Sequence, residues 1–197
     1  MNQKLSSRVW LTPAPSPACI VDDVVRLGQV PSTAFGDGSH PTTQLCTHVV
    51  DLWCRTRHPT SVLDVGTGTG VLARVARARG ATRVRGTDID DEALRAAAAN
   101  VALDVDAQTT HPIAIDADLP DAAGRFQLVV ANILEGPLTD LSSSLAAAVD
   151  DGGTLLLSGF TALQAPRLRL TFEQQGLTFA QDALQGSWCL LRFSRPA

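Results

Sequence analysis

The chain predicts a doubly wound α/β domain: a mostly parallel, seven-stranded sheet closed by a C-terminal antiparallel hairpin. Three observations carry this reading. From Ser61 onward, short apolar runs alternate with alanine- and leucine-rich stretches of helical character. One apolar run ends in three closely spaced glycines, and a helix begins directly after them. The last two β-like runs are separated by only Gln185-Gly186-Ser187. Alternating strand and helix builds a parallel sheet with helices on both faces, joined by right-handed crossovers.

The elements follow in order. Residues 1–34 carry Pro13, Pro15, Pro17 and Pro31, too many for a continuous helix, and read as an extended lead-in packed on a domain spanning 35–197. Leu45, Val49 and Leu52 recur at helical spacing within 42–57. Strands are predicted at 62–65, 83–88, 110–115, 126–133 and 154–160, and helices at 69–79, 91–101, 137–149 and 163–175. The runs 177–184 and 188–194 leave no room for a crossover helix, so they must pair antiparallel. Five parallel strands closed by such a hairpin resemble the Rossmann-like sheet of class I methyltransferases.

Composition narrows the function classes. With 45% hydrophobic and 18% charged residues among 197, the chain has ample material for a core. A net charge of −4 and a pI near 5.4 argue against broad binding to nucleic acid or anionic membranes. The arginines Arg74, Arg77, Arg79, Arg83 and Arg85 suggest a phosphate patch, but cations at a helix C-terminus are the better reading. Cys19, Cys46, Cys54 and Cys189 form no C-x-x-C pair and have no histidine at zinc-ligand spacing, so no metal site is expected. They read as reduced thiols of a cytoplasmic protein. The N-terminus has no apolar signal core, and no stretch reaches the ~20 apolar residues that span a bilayer.

The segment Val62-Leu63-Asp64-Val65-Gly66-Thr67-Gly68-Thr69-Gly70 is the most informative. Its glycines permit positive φ and let a ligand lie against the backbone. About 20 residues on, a second strand ends in Thr87-Asp88-Ile89-Asp90, where a carboxylate can accept both ribose hydroxyls. Asp88, still on the strand, is the better ribose ligand; Asp90 suits a helix N-cap. Val71 stands where the dinucleotide fingerprint has its last glycine. A pyrophosphate needs close backbone approach, so the altered spacing favours S-adenosylmethionine over NAD. Gly66 and Gly68 are candidate cofactor-binding positions in this loop. Asp64 either ties down the loop amides or faces the cationic methionine end of the ligand.

Two further segments carry a family resemblance. Ala34-Phe35-Gly36-Asp37-Gly38-Ser39-His40-Pro41-Thr42-Thr43 resembles A-F-G-T-G-x-H-P-T-T, and Val130-Ala131-Asn132-Ile133-Leu134-Glu135-Gly136-Pro137-Leu138 is similar to V-A-N-I-L-x-G-P-L, both of the bacterial ribosomal protein L11 methyltransferase family. Gly152-Gly153, Leu157-Ser158-Gly159 and Trp188-Cys189 support the match. The resemblance implies cofactor contacts at Thr43, Gly66, Asp88 and Asn132, with Thr43 capping the helix it opens and closing over the methionine end. His40 is expected to hydrogen-bond backbone rather than act as a base. Asp37 and Glu135 depart from the family pattern, which has threonine and a small residue there. The family also begins with a recognition domain, and this chain is expected to start at the linker after it.

Methyl transfer from a sulfonium requires a nucleophile aligned with the S–CH₃ bond, and Asn132 is the candidate catalytic residue for aiming an amine. The leading expectation is an N-methyltransferase acting on lysine or N-terminal amino groups of a protein, a ribosomal one by resemblance. A small amine metabolite as substrate, a non-catalytic paralogue that binds cofactor or a protein partner, and an NAD-binding oxidoreductase are the other readings.

Overall fold

A computed structural model describes residues 2–104, 111–119 and 124–197. Its main sheet has seven strands, as the sequence predicts, in the order β10-β11-β9-β8-β5-β6-β7. The central strands are β5 (Ser61–Val65), β6 (Arg83–Thr87), β7 (Ala114–Asp116), β8 (Phe126–Asn132) and β9 (Val149–Thr161). All of these pair in parallel, whereas β10 (Thr178–Gln185) and β11 (Trp188–Ser194) pair antiparallel with each other and β11 with β9. The expected strand 110–115 falls partly outside the described residues.

Two apolar clusters cover the sheet. Val62, Leu128, Val130 and Leu156 pack with α1 (Pro41–Arg57) and α2 (Val71–Ala78) on one face. Leu63, Val65, Val129, Ala131, Leu155 and Leu157 pack on the other. There α4 (Glu135–Asp140), α5 (Ser142–Ala148) and α6 (Ala165–Gln174) supply Leu138, Leu145 and Leu168. The alternation over 62–65, 128–131 and 155–157 is the period-2 signature of a sheet buried on both faces. The helix α3 (Asp91–Ala102) follows β6.

Two elements differ from expectation. The helix predicted over 137–149 starts earlier and is broken into α4 and α5 at Leu141, whose φ of −90° and ψ of 5° interrupt the coil. Pro137 lies in the first turn of α4, where its missing N–H costs nothing, so the helix can begin at Glu135. The extended lead-in is itself a sheet: β1 (Gln3–Ser6), β2 (Val9–Pro13), β3 (Cys19–Val21) and β4 (Val24–Gln29), ordered β1-β2-β4-β3. Its prolines sit at the end of β2, in the β2–β3 connection and after β4, where no ladder hydrogen bond is lost. Val9, Leu11, Val25 and Leu27 face inward and join the core under α1 and α2.

Ion pairs, buried at Arg74 and Arg79 and partly exposed at Asp23, fasten this small sheet and α2 to their surroundings. Arg79 reaches Asp51 and Asp23, each at 2.6 Å, and Asp23 also takes Arg8 and Arg55. Arg74, fully buried, grips Asp104 with two bonds of 2.6 and 2.8 Å. Arg85 pairs with Asp116, and Arg83 stacks on Phe126. The arginine cluster is thus structural, but through specific partners more than through a helix dipole. All four cysteines are free thiols, three of them buried. Among the described residues, no helix is long and apolar enough to cross a membrane.

Candidate cofactor and acceptor site

The strand order reverses between β5 and β8, so their carboxyl ends open a crevice at the point where doubly wound sheets bind ligands. Register fixes its walls. Val65 pairs with Thr87 on one side and Ala131 on the other, which sets Asp88 and Asn132 on either side of the glycine loop.

The loop is locked from within. The amides of Gly66 and Thr67 both donate to the Thr87 carbonyl at 2.8 and 2.9 Å. Gly68 N donates to Asp88 Oδ2 at 2.9 Å, Thr69 N to the Phe35 carbonyl at 2.9 Å, and Gly70 N to the Thr67 carbonyl at 2.8 Å. Five consecutive amides therefore serve the protein, and none remains to cradle a pyrophosphate. The glycines have a corresponding purpose. At Gly66, with φ of 70°, a Cβ would lie 2.1 Å from Ile133 Cγ2; at Gly68, with φ of 54°, it would lie 2.1 Å from the Phe35 carbonyl oxygen. The space the glycines leave is filled by the chain's own segments at both of these positions.

Asp88 accepts one backbone amide at each oxygen, Gly68 N at Oδ2 and Asp90 N at 3.1 Å on Oδ1. The side chain is thereby oriented while each oxygen keeps a free lone pair. Asp90 caps α3 by accepting from Glu92 N at 2.9 Å, as expected.

A polar wall faces the loop from the α1 side. Asp64, Asn132 and Ser158 each lie two residues past an inward residue of the α1 face, and so point to it. Asp64 is fully buried; its Oδ2 accepts from the Thr67 hydroxyl at 2.7 Å and from Ala73 N at 3.2 Å. Burial pushes its carboxyl up to about 6, against the pull of those two bonds. Loop-tying is thus one of its roles, and Oδ1 is left without a partner. The Thr43 hydroxyl and the Asn132 carboxamide oxygen are also buried and unpartnered. Asn132 is 9% exposed.

Thr43 does not cap α1. The cap is His40, whose ring accepts from Thr42 N and pairs with the Thr42 hydroxyl, because Pro41 occupies the first helical position. His40 also packs against Phe35 and Trp188, with ring centroids 5.2 and 4.5 Å apart. It thus joins the 35–40 segment to the C-terminal hairpin by packing.

Three contributors, Phe35, Gly36 and Asn100, are absent from the sequence-based candidates. Phe35 and Gly36 bind the loop through their carbonyls, the second taking the Thr69 hydroxyl at 2.7 Å. Asn100 bridges the Thr69 carbonyl and Val30 N at 2.9 and 2.8 Å. A readable signal existed for Asn100, a polar residue on the stripe Ala93, Ala96, Ala97 and Val101. None existed for the backbone contacts.

Comparison with known proteins finds relatives along most of the chain. The family model described as ribosomal protein L11 methyltransferase (PrmA) matches residues 3–196. A ribosomal protein L11 methyltransferase of Geobacter metallireducens is 40% identical over 185 residues, 92% of this chain and 57% of that protein. One of Ectopseudomonas mendocina is 40% identical over 177 residues, 86% of this chain and 56% of that protein. The chain thus spans a little over half the length of these curated relatives. A ribosomal protein L11 methylase structure from Lactobacillus delbrueckii subsp. bulgaricus superposes with a TM-score of 0.81 at 32% identity, covering 100% of this chain and 99% of that one. The N-methyltransferase NodS of Bradyrhizobium japonicum, in complex with S-adenosyl-L-homocysteine, shares the fold at a TM-score of 0.62 and 18% identity, over 81% of this chain and 90% of that one. The chain belongs to the ribosomal protein L11 methyltransferase family.

Proposed function

We propose that this chain is an S-adenosylmethionine-dependent N-methyltransferase acting in the cytoplasm on amino groups of a protein, with ribosomal protein L11 the first substrate to test. Residues 35–197 form its catalytic domain, and the carrying observation is the buried, unpartnered carboxamide oxygen of Asn132 at the sheet's switch point.

The residues fit the cofactor. Asp88 has one free lone pair on each oxygen for a vicinal ribose diol. Thr43 Oγ1 and Asp64 Oδ1 offer unpaired valences suited to the polar methionine end. Gly66 and Gly68 shape the floor, and a loop with no spare amides suits a ligand without phosphate. When bound, S-adenosylmethionine supplies an electrophilic methyl group on a sulfonium.

The chain's own part is alignment. A lysine amine, which in water loses its proton only near pH ~10.4, reacts only after that proton is gone. Asn132 Oδ1 then accepts one of its remaining hydrogens, which fixes the direction of the lone pair and converts an encounter into a positioned displacement. Burial of the carboxamide keeps water from competing for that oxygen.

Calorimetric titration tests the cofactor: S-adenosylmethionine and its demethylated product should bind, with NAD silent. Incubation with labelled S-adenosylmethionine and ribosomal protein L11 tests the reaction. Binding of NAD, or cofactor binding with no label moved to L11 or to any host lysate fraction, would overturn the proposal.

A further inference from the structure

Two loops leave the carboxyl edge side by side, one after β8 and one after β9, because Asn132 pairs with Ser158. Gly159 lets them close together: with φ of 96°, a Cβ there would lie 2.3 Å from the Ile133 carbonyl oxygen. Beyond that crossing, Gln164 Nε2 donates to Glu135 Oε2 at 2.7 Å. The carboxamide oxygen of Gln164 accepts from the Thr161 amide and hydroxyl at 2.8 and 2.9 Å. Gln164 is therefore fixed at one end and holds Glu135 at the other.

The second oxygen of Glu135 is less engaged. Arg167 Nη1 stands 3.9 Å from Oε1, beyond hydrogen-bond range, on a side chain that is 74% exposed. Leu134 and Leu163 immediately precede Glu135 and Gln164, and are 69% and 93% exposed. A lone exposed leucine needs no explanation. Two of them, each next in sequence to one member of the Gln164–Glu135 bond, put exposed apolar surface in the neighbourhood of a locked carboxylate three residues past Asn132.

We propose that Glu135, held by Gln164 and bordered by Leu134 and Leu163, is the receiving subsite for an alkylammonium side chain. The aliphatic stem lies against the leucines while the ammonium meets Glu135 Oε1 on its way to Asn132. A lysine suits both halves, since its stem packs on apolar surface and its head stays polar. An N-terminal amine lacks the stem. Arg167, a cation of the chain itself, is drawn to the same oxygen and is displaced by the incoming ammonium. Glu135 is thus the residue that selects the substrate. This inference rests on the amine-methyltransferase reading, yet it concerns binding and is measured without turnover.

The test compares N-acetyl-lysine methylamide with its norleucine counterpart by NMR titration, with and without S-adenosylhomocysteine. The lysine probe should bind about fivefold tighter at low salt, with the preference shrinking as salt rises. Glu135→Gln should abolish the preference while leaving S-adenosylhomocysteine affinity within about twofold, and Arg167→Gln should widen it. Equal binding of the probes to the wild-type protein, binding of neither, or a preference that survives Glu135→Gln would overturn the inference. A preference lost in Glu135→Gln, with no methyl moved to any amine, would retain the subsite and refute the proposed reaction instead.

Discussion

The two buried polar regions of this molecule are built in opposite ways. Under the N-terminal sheet, charges meet charges: Arg74 has Asp104, Arg79 has Asp51 and Asp23, and Asp23 also collects Arg8 and Arg55. At the carboxyl edge, Thr43 Oγ1, Asp64 Oδ1 and Asn132 Oδ1 are buried without a partner; in the first region Arg74 Nη1 and Gln29 Oε1 are open too, but there each carboxylate meets a guanidinium. Burying a polar atom without a hydrogen bond costs free energy, so several open oxygens at one sheet edge mark a place where a ligand could supply the missing partners. The first region is paired charge for charge, and the second is the candidate site, where open oxygens come from α1, β5 and β8. Substitutions at the two should separate stability from binding.

The largest effect belongs to the fastening. Arg74→Ala strands Asp104, whose side chain is only 13% exposed, and should cost about 3–5 kcal/mol in a denaturant titration. The Arg74→Ala, Asp104→Ala double variant should lose less than the sum of the single losses. Cofactor affinity of whatever remains folded should be unchanged. A large affinity loss at constant stability would dissolve the distinction between the regions.

Asp64 sits on the boundary, tying the loop through one oxygen and open at the other. Its carboxyl is raised from 3.8 to about 6 in the native state. The unfolded carboxylate therefore ionises first, and between about pH 4 and 6 the native state holds a proton the unfolded chain has lost. Stability should fall through that window as pH rises, by about 3 kcal/mol at 1.36 per unit, and level off above it. Asp64→Asn should remove this contribution. If the difference between wild type and variant does not tilt between pH 4 and 6, Asp64 is not a strained acid.

Much of the site was legible because strand ends and glycine loops leave local marks. Asp64 and Asn132 interrupt apolar runs and Asp88 follows a short strand, and the register of three parallel strands then brings them to one edge. The fastening left no such mark, since Arg74 and Arg79 find acids 30 and 56 residues away. The sheet within 1–34 was obscured by prolines, although Val9 and Leu11, and Val25 and Leu27, alternate as strands should. Thr43 shows the reverse error. A threonine near a helix start reads as a cap, but Pro41 moves that duty to His40 and leaves the hydroxyl free.

Within the site, Asn132 separates chemistry from affinity. Asn132→Ala should lower single-turnover transfer about 100-fold at saturating cofactor and weaken cofactor binding much less. Asn132→Asp keeps the shape but adds charge at the candidate site, so on the proposed function it should bind cofactor and misplace the amine. Wild-type rates for Asn132→Ala would reduce this residue to a cofactor contact.

The smallest effect distinguishes two aspartates that lie two residues apart. Asp88 accepts the Gly68 amide and so couples the loop to any ribose bound at its free lone pairs. Asp90 accepts Glu92 N and caps α3 on the exposed side. Asp88→Ala should weaken S-adenosylmethionine about tenfold or more, because the hydroxyl contacts and the loop anchor vanish together. Asp90→Ala should cost about 1 kcal/mol of stability, the usual worth of a cap, with little change in affinity. Asp88→Asn sharpens the contrast. Its oxygen can still accept one amide, but its NH₂ cannot accept from a hydroxyl, so affinity should fall between wild type and Asp88→Ala. Calorimetry on folded variants decides this; equal losses at positions 88 and 90 would mean that Asp88 is one more fastening and not part of the site.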